Sequence, residues 1–139
     1  MLQRIEIAEA VHKHIFLIDD EPLVLDAYCS ILRDAGFRNL HTFTSAVDAI
    51  NMLRCIRPDM ILTDIHMPGV TGIVFTGLVR EFEHLDSIPI IAITADDRIG
   101  TAQEVLRRGA HATLMKPVAA DELIGHICSI PFSSQACRS

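Results

Sequence analysis

A chain of 139 residues, 50% hydrophobic and 22% charged, has room for one domain with a large aliphatic core, which excludes a mainly disordered state. Its net charge of −6, with no run of Lys or Arg, argues against holding nucleic acid by itself, because phosphate neutralisation needs a basic face. No apolar stretch approaches the roughly 18–20 residues of a bilayer span, and Met1-Leu2-Gln3-Arg4-Ile5-Glu6 lacks a signal-peptide layout, so the expected compartment is the cytoplasm, without a membrane partner.

Residues 1–12 mix Leu2, Ile5 and Val11 with Arg4, Glu6 and Glu9, an N-terminal extension that reads as a short helical lead-in or a frayed arm. His14-Ile15-Phe16-Leu17-Ile18 is a short apolar run of the kind buried on both faces of a sheet, and it ends in Asp19-Asp20-Glu21. Pro22 suits a first helical turn. Val24, Leu25, Tyr28, Ile31 or Leu32, and Ala35 then recur at helical spacing until Gly36 supplies a stop. Residues 37–43 read as a second strand, after which Thr44 or Ser45 caps a helix with Ala46, Ala49, Ile50, Leu53 and Ile56 inward, halted by Pro58.

Met60-Ile61-Leu62-Thr63 carries no charge and delivers one carboxylate, Asp64, to its end before the turn at Pro68-Gly69. Ile73, Leu78, Val79 and Phe82 mark a third helix, weakened by Gly72 and Gly77. Ser87-Ile88-Pro89 resets the chain, and Ile90-Ile91-Ala92-Ile93 is a fourth strand ending in Thr94. Ile99, Ala102, Val105 and Leu106 make a helix over residues 97–108, stopped by Gly109. Ala112-Thr113-Leu114-Met115 is a fifth strand that ends in Lys116-Pro117. A last helix starts at Ala119 or Ala120, turns Leu123, Ile124 and Ile127 inward and ends at Pro131; residues 132–139 are a polar, flexible tail.

Cys29, Cys55, Cys128 and Cys137 form no C-x-x-C pair, and the first three fall in stretches that read as helix, so they read as reduced thiols. His12 and His14 are close together before the first strand, with no further Cys or His at ligand spacing.

Five near-continuous apolar strands alternating with five helices point to an α/β fold with a doubly wound parallel sheet. In the flavodoxin-like (βα)5 order 2-1-3-4-5, strands one, three, four and five are neighbours and their carboxyl ends share one crevice. Alone, Asp64 reads as a turn cap. In that order, however, Asp19, Asp20, Asp64, Thr94 and Lys116 converge. Close carboxylates hold protons unless a cation offsets them, and oxygen-only ligands select a hard cation such as Mg2+. Lys116 supplies a positive point charge and Thr94 a hydroxyl donor, both suited to phosphate oxygens. This is a phosphoryl-transfer site with a carboxylate able to act as nucleophile. The chain has no G-x-x-x-x-G-K-[ST] loop, which disfavours a bound nucleotide as phosphoryl source.

The stretches Ile15-Phe16-Leu17-Ile18-Asp19-Asp20-Glu21-Pro22, Pro58-Asp59-Met60-Ile61-Leu62-Thr63-Asp64-Ile65-His66-Met67-Pro68-Gly69, Ile90-Ile91-Ala92-Ile93-Thr94-Ala95 and Met115-Lys116-Pro117 carry a family resemblance. Over residues 13–131 the chain resembles the receiver domains of bacterial two-component response regulators. The resemblance implies that Asp64 accepts a phosphoryl group from a histidine kinase or phosphotransfer protein. It implies that Asp20, Asp64 and the His66 main-chain carbonyl hold Mg2+, with Asp19 helping through water. It further implies that Lys116 contacts the phosphoryl group, that Thr94 moves to bond it and that Lys116-Pro117 is a cis bond. The implied protein is a phosphorylation switch with weak intrinsic autophosphorylation and autodephosphorylation, read by an unidentified downstream protein or output domain.

The chain departs from the family at three places. Thr113 stands where the family usually has the Tyr or Phe that couples Thr94 to the face of the fourth helix, fifth strand and fifth helix. Val118 and Ala119 replace a common Phe and a capping Ser or Asp. His66, two residues after the acceptor, reads either as a modulator of phosphoryl lifetime or as a solvated side chain. Two rivals stay open. A phosphorylation-independent interaction module is motivated by Thr113, whereas an aspartate-nucleophile phosphatase would usually carry an acid at His66. An FMN site would need a Ser/Thr/Gly-rich loop where Asp19-Asp20-Glu21 stands. The chain reads as a stand-alone regulator or a piece of a hybrid kinase or multidomain regulator.

Overall fold

The computed structural model describes residues 7–130; the expectations for Leu2, Ile5, Pro131, Cys137 and the tail lie outside the described residues. The strands are β1 (His14–Ile18), β2 (Asn39–Phe43), β3 (Met60–Asp64), β4 (Ile90–Thr94) and β5 (Ala112–Met115). They alternate with α1 (Pro22–Asp34), α2 (Ala46–Leu53), α3 (Gly72–Glu81), α4 (Ile99–Arg107) and α5 (Ala120–Ser129), with a 3-10 turn at Glu83–Leu85. All pairings are parallel and the order is β2-β1-β3-β4-β5, the doubly wound α/β arrangement expected of the sequence.

The alternation of side chains across the sheet builds two core layers. Ile15, Leu17, Leu62, Ile91 and Leu114 face α1 and α5, packing on Leu25, Leu32, Leu123 and Ile127. Phe16, Ile18, Ile61 and Ile90 face the other side, against Leu53, Phe75, Val79 and Val105 of α2, α3 and α4. The register pairs Ile18 with Thr63, Asp64 with Ile93 and Thr94 with Met115, so the residues that leave these strands gather at one rim.

Several boundaries and faces differ from expectation for local reasons. β2 begins at Asn39, because Gly36 turns the chain at φ +107° and Phe37, fully buried, donates its N–H to Leu32 O (3.0 Å). Ser45, not Thr44, caps α2: its Oγ accepts from the Val47 N–H at 3.2 Å. That helix ends at Leu53, leaving Cys55 in a turn and Ile56 exposed.

α3 buries Gly72, Phe75, Thr76 and Val79, a face that starts one residue earlier than the Ile73-based period. The glycine read as a weak point is the point of closest approach. A Cβ there would overlap the Asp64 carbonyl oxygen and lie 2.7 Å from Ile65 Cα, while the Gly72 N–H donates to Ile65 O at 2.7 Å. Thr76 sits in the core because its hydroxyl donates to Gly72 O at 2.8 Å. α4 buries Val105 alone, and Ile99 and Leu106, expected inward, are exposed. Of the N-terminal extension, residues 7–10 are helical and Ala10 packs against the α1/α5 layer. Among the described residues, no helix is long and apolar enough to cross a membrane.

Candidate functional site

The rim at the carboxyl ends of the strands is where the sheet changes from apolar to ionisable. β1 runs straight into Asp19, which is 1% exposed, and β3 ends on Asp64, which is 6% exposed. Lys116 arrives from the end of β5, far along the chain, and closes the arrangement. Its Nζ lies 2.9 Å from Asp19 Oδ2 and 3.4 Å from Asp64 Oδ2. The Lys116 main-chain N–H donates to Thr94 O (2.9 Å), which ties the ends of β4 and β5 together, and the Lys116-Pro117 bond is cis.

Each carboxylate is held by its own backbone. Asp64 Oδ1 accepts from the Ile65 N–H (2.8 Å), and Asp19 Oδ1 accepts from the Glu21 N–H (2.9 Å). Asp64 Oδ2 is therefore the oxygen left facing Lys116. Burial pushes the Asp64 carboxyl above its ordinary range; Lys116 opposes this and the Asp19 charge adds to it. Burial works against the Lys116 ammonium, but the bond to Asp19 and the charges of Asp64 and Asp19 outweigh it and raise its pKa. One lysine is thus shared between two buried acids.

Carboxylate oxygens of Asp19, Asp20 and Glu21 lie within 4.8 Å of one another, with Asp20 half-buried and Glu21 exposed. An all-oxygen donor set with surplus negative charge suits a hard divalent cation. Glu21 belongs to this cluster, while Asp64 joins it through Lys116 and Asp19.

Thr94 is 3% exposed, and its Oγ1 accepts from the Asp96 N–H at 3.1 Å. Thr113 is half-buried in β5 opposite Ala92, so no ring stands at that position. The His66 imidazole, half exposed, places Nε2 2.7 Å from Asp96 Oδ2.

Asp96 was not singled out from the sequence, yet it is the hub of the loop after β4. Its Oδ1 accepts from the Arg98 N–H (2.9 Å), and its carboxylate also accepts from the Arg98 guanidinium and from Thr101 Oγ1 (3.1 Å). Arg98 bonds, then His66, hold its carboxyl well below the usual range. An Asp two residues after a strand end and just before a helix is an Asx-turn signal, which could have flagged the turn but not the His66 contact.

Tyr28 is the second residue read only as core. Burial pushes its hydroxyl up to about 12, with Lys116 opposing and the Asp19 and Asp64 charges adding. It lines a groove of about 490 Å3 together with Leu23, Val24, Ala95, Lys116 and Pro117.

Residues 15–128 match the family model described as the response regulator receiver domain. The polar-differentiation response regulator DivK of Brucella ovis is 29% identical over 117 residues, covering 84% of this chain and 94% of that protein. Among solved structures, the receiver domain of the sensor histidine kinase PA1611 from Pseudomonas aeruginosa, with a magnesium ion coordinated in its active site cleft, is 28% identical with a TM-score of 0.77. That match covers 84% of this chain and 94% of the PA1611 domain. The chemotaxis response regulator CheY4 of Vibrio cholerae is 26% identical with a TM-score of 0.78, over 84% of this chain and 96% of its own. A single family model over residues 15–128, the strand order β2-β1-β3-β4-β5 and the acid-lysine rim all agree: the chain belongs to the response regulator receiver domain family of two-component signalling.

Proposed function

We propose that Asp64 is the phosphoacceptor of a signalling switch whose receiver unit spans residues 13–131 and works in the cytoplasm. The observation that carries this reading is the Lys116 ammonium held between the Asp19 and Asp64 carboxylates at the strand-end crevice. Asp64 Oδ2 forms a bond to phosphorus while the bond from phosphorus to the donor's imidazole nitrogen breaks, the electron pair leaving with that nitrogen. The donor is a histidine kinase or a histidine phosphotransfer protein. Lys116 exchanges its contact with Asp64 for one with a phosphoryl oxygen, and the Thr94 hydroxyl donates to another.

The carboxylate oxygens clustered at Asp19, Asp20 and Glu21 fit a hard cation such as Mg2+; Asp20, Asp64 and the His66 main-chain carbonyl would hold it, with Asp19 acting through water. When bound, the cation neutralises charge that develops on the phosphoryl oxygens. Phosphorylation adds roughly 1.5 to 2 negative charges at the rim and biases a two-state element that a downstream protein or output domain reads. Slow attack of water on phosphorus, with cleavage of its bond to Asp64, resets the switch.

Intact mass after incubation with Mg2+ and acetyl phosphate tests this reading. The native chain gains one phosphoryl group and Asp64→Asn gains none; equal labelling of both would place the acceptor elsewhere. Followed in time, His66→Ala changes the decay rate of the adduct if the imidazole orders the attacking water, and an unchanged rate leaves it a surface side chain. The absence of a ring at Thr113 supports a second reading, in which partner binding does not depend on phosphorylation. Equal partner affinity before and after labelling would favour it.

A further inference from the structure

At the amino end of the sheet, opposite the acceptor, two histidines far apart in sequence meet. His14 opens β1 and His41 lies within edge strand β2; the register pairs His14 with Asn39 and Phe16 with His41, so both imidazoles stand on one face of the sheet. His14 Nδ1 is 3.1 Å from His41 Nε2, and the rings stack at a centroid distance of 5.3 Å and an interplanar angle of 22°. We propose that His14 and His41 form a chelating site for a borderline divalent transition ion that prefers imidazole, such as Zn2+, separate from the carboxylate rim.

Two imidazole nitrogens on one tetrahedral Zn2+, each at about 2.0–2.1 Å, stand roughly 3.3–3.4 Å apart. The observed separation is within a few tenths of an ångström of that span, so small ring rotations turn both lone pairs to a common point. At this contact the N–H of one ring donates a hydrogen bond to the lone pair of the other. On metal binding that ring moves its proton to its outward nitrogen, which frees both facing lone pairs without changing the charge of either ring.

The two positions are held before any ion arrives. The His14 N–H donates to Asp59 Oδ2 at 2.8 Å and the Asp59 N–H donates to His14 O at 2.8 Å, which pins the backbone that carries the first ring. The second ring is fixed between Phe16, at 5.4 Å, and His14. Burial, with His14 adding, lowers the pKa of His41, which favours its neutral, ligating form.

Donor chemistry keeps this site distinct from the rim, because imidazole selects transition ions and carboxylate selects Mg2+. The two are also remote: five residues of β1 at about 3.3 Å each put roughly 16 Å between His14 and Asp19. An ion at the pair would cross-link β2, the strand with no fully buried residue, to β1 and raise the melting temperature.

Calorimetric titration of the tag-free full chain with Zn2+, in excess Mg2+ and reductant, tests the proposal. The expected result is a single Zn2+ whose affinity falls at least about tenfold in both His14→Gln and His41→Gln and is unaffected by Cys55→Ser. Binding that survives both histidine substitutions, or no binding up to about 1 mM Zn2+, overturns it. Cu2+ electron paramagnetic resonance on the native chain gives an independent reading: coupling to two imidazole nitrogens supports the pair, and coupling to none or one overturns it.

Discussion

β3 is buried at all five of its positions, whereas β5 buries Leu114 alone of its four; α3 sinks four residues into the core and α4 sinks only Val105. Both regions repeat the same strand-helix pattern. What separates them is position: β3 lies between β1 and β4, with helices over both faces, while β5 is an edge. The proposed acceptor therefore stands on a strand buried along its whole length, as β4 is too, and Thr94 and Lys116 reach toward it from the boundary with the looser edge. A site that must hold one group still and let others move gains from such unequal packing, because low-stability elements are the ones able to rearrange. The looser half is not loose everywhere. Arg80 of α3 donates to Gly109 O at 2.8 and 3.1 Å and to Leu85 O at 2.9 Å, clamping the turn before β5.

Two glycines give the largest expected contrast between these halves. Gly72→Ala drives a Cβ into the Asp64 and Ile65 backbone and should lower unfolding stability by about 2–3 kcal/mol or more, whereas Gly100→Ala meets open space in α4 and should stabilise by up to about 1 kcal/mol. Urea denaturation measures both, and similar values would erase the distinction. Next in size, Val105→Ala removes the one side chain anchoring α4 and should cost about 1–3 kcal/mol, while Ile99→Ser, whose side chain is 74% exposed, should stay within about 0.5 kcal/mol. A large loss at Ile99 would mean that the α4 face is covered in solution.

The smallest effect concerns pH. Burial raises the Asp64 pKa in the folded state, so its contribution to stability is fully present below the ordinary carboxylate range and is lost as pH rises through the raised value. Without divalent cations, Asp64→Asn should be slightly more stable than the native chain at neutral pH, the gap closing as pH falls below the carboxylate range. Thermal unfolding across that range checks the sign; a native chain that is the more stable at pH 7 would mean that Lys116 fully offsets the burial of the charge.

The strands were legible because a strand buried on both faces has to be an uninterrupted apolar run, and Asp19, Asp64, Thr94 and Lys116 were legible because each ends one. Helix faces were read less well. In α3 the period that starts at Ile73 finds Val79 but not Gly72, Phe75 and Thr76, because a glycine and a threonine carry no apolar signal. In α4 the spacing of Ile99, Ala102, Val105 and Leu106 predicts an inward face, of which Val105 is buried while Ile99 and Leu106 are exposed, because an edge position leaves little sheet for them to cover.

Local sequence alone was enough for the alternation of five strands and helices, the acid-lysine set at the strand ends and the family, because these depend on burial period and on what terminates each run. Tertiary structure decided the contacts between residues remote in the chain. It joined His66 to Asp96, brought His14 to His41, set Tyr28 and Lys116 along one groove and pressed Gly72 onto the end of β3. None of these has a periodicity. Each arises where strand register and loop geometry bring distant backbones within a few ångströms, which no local pattern of hydrophobicity encodes.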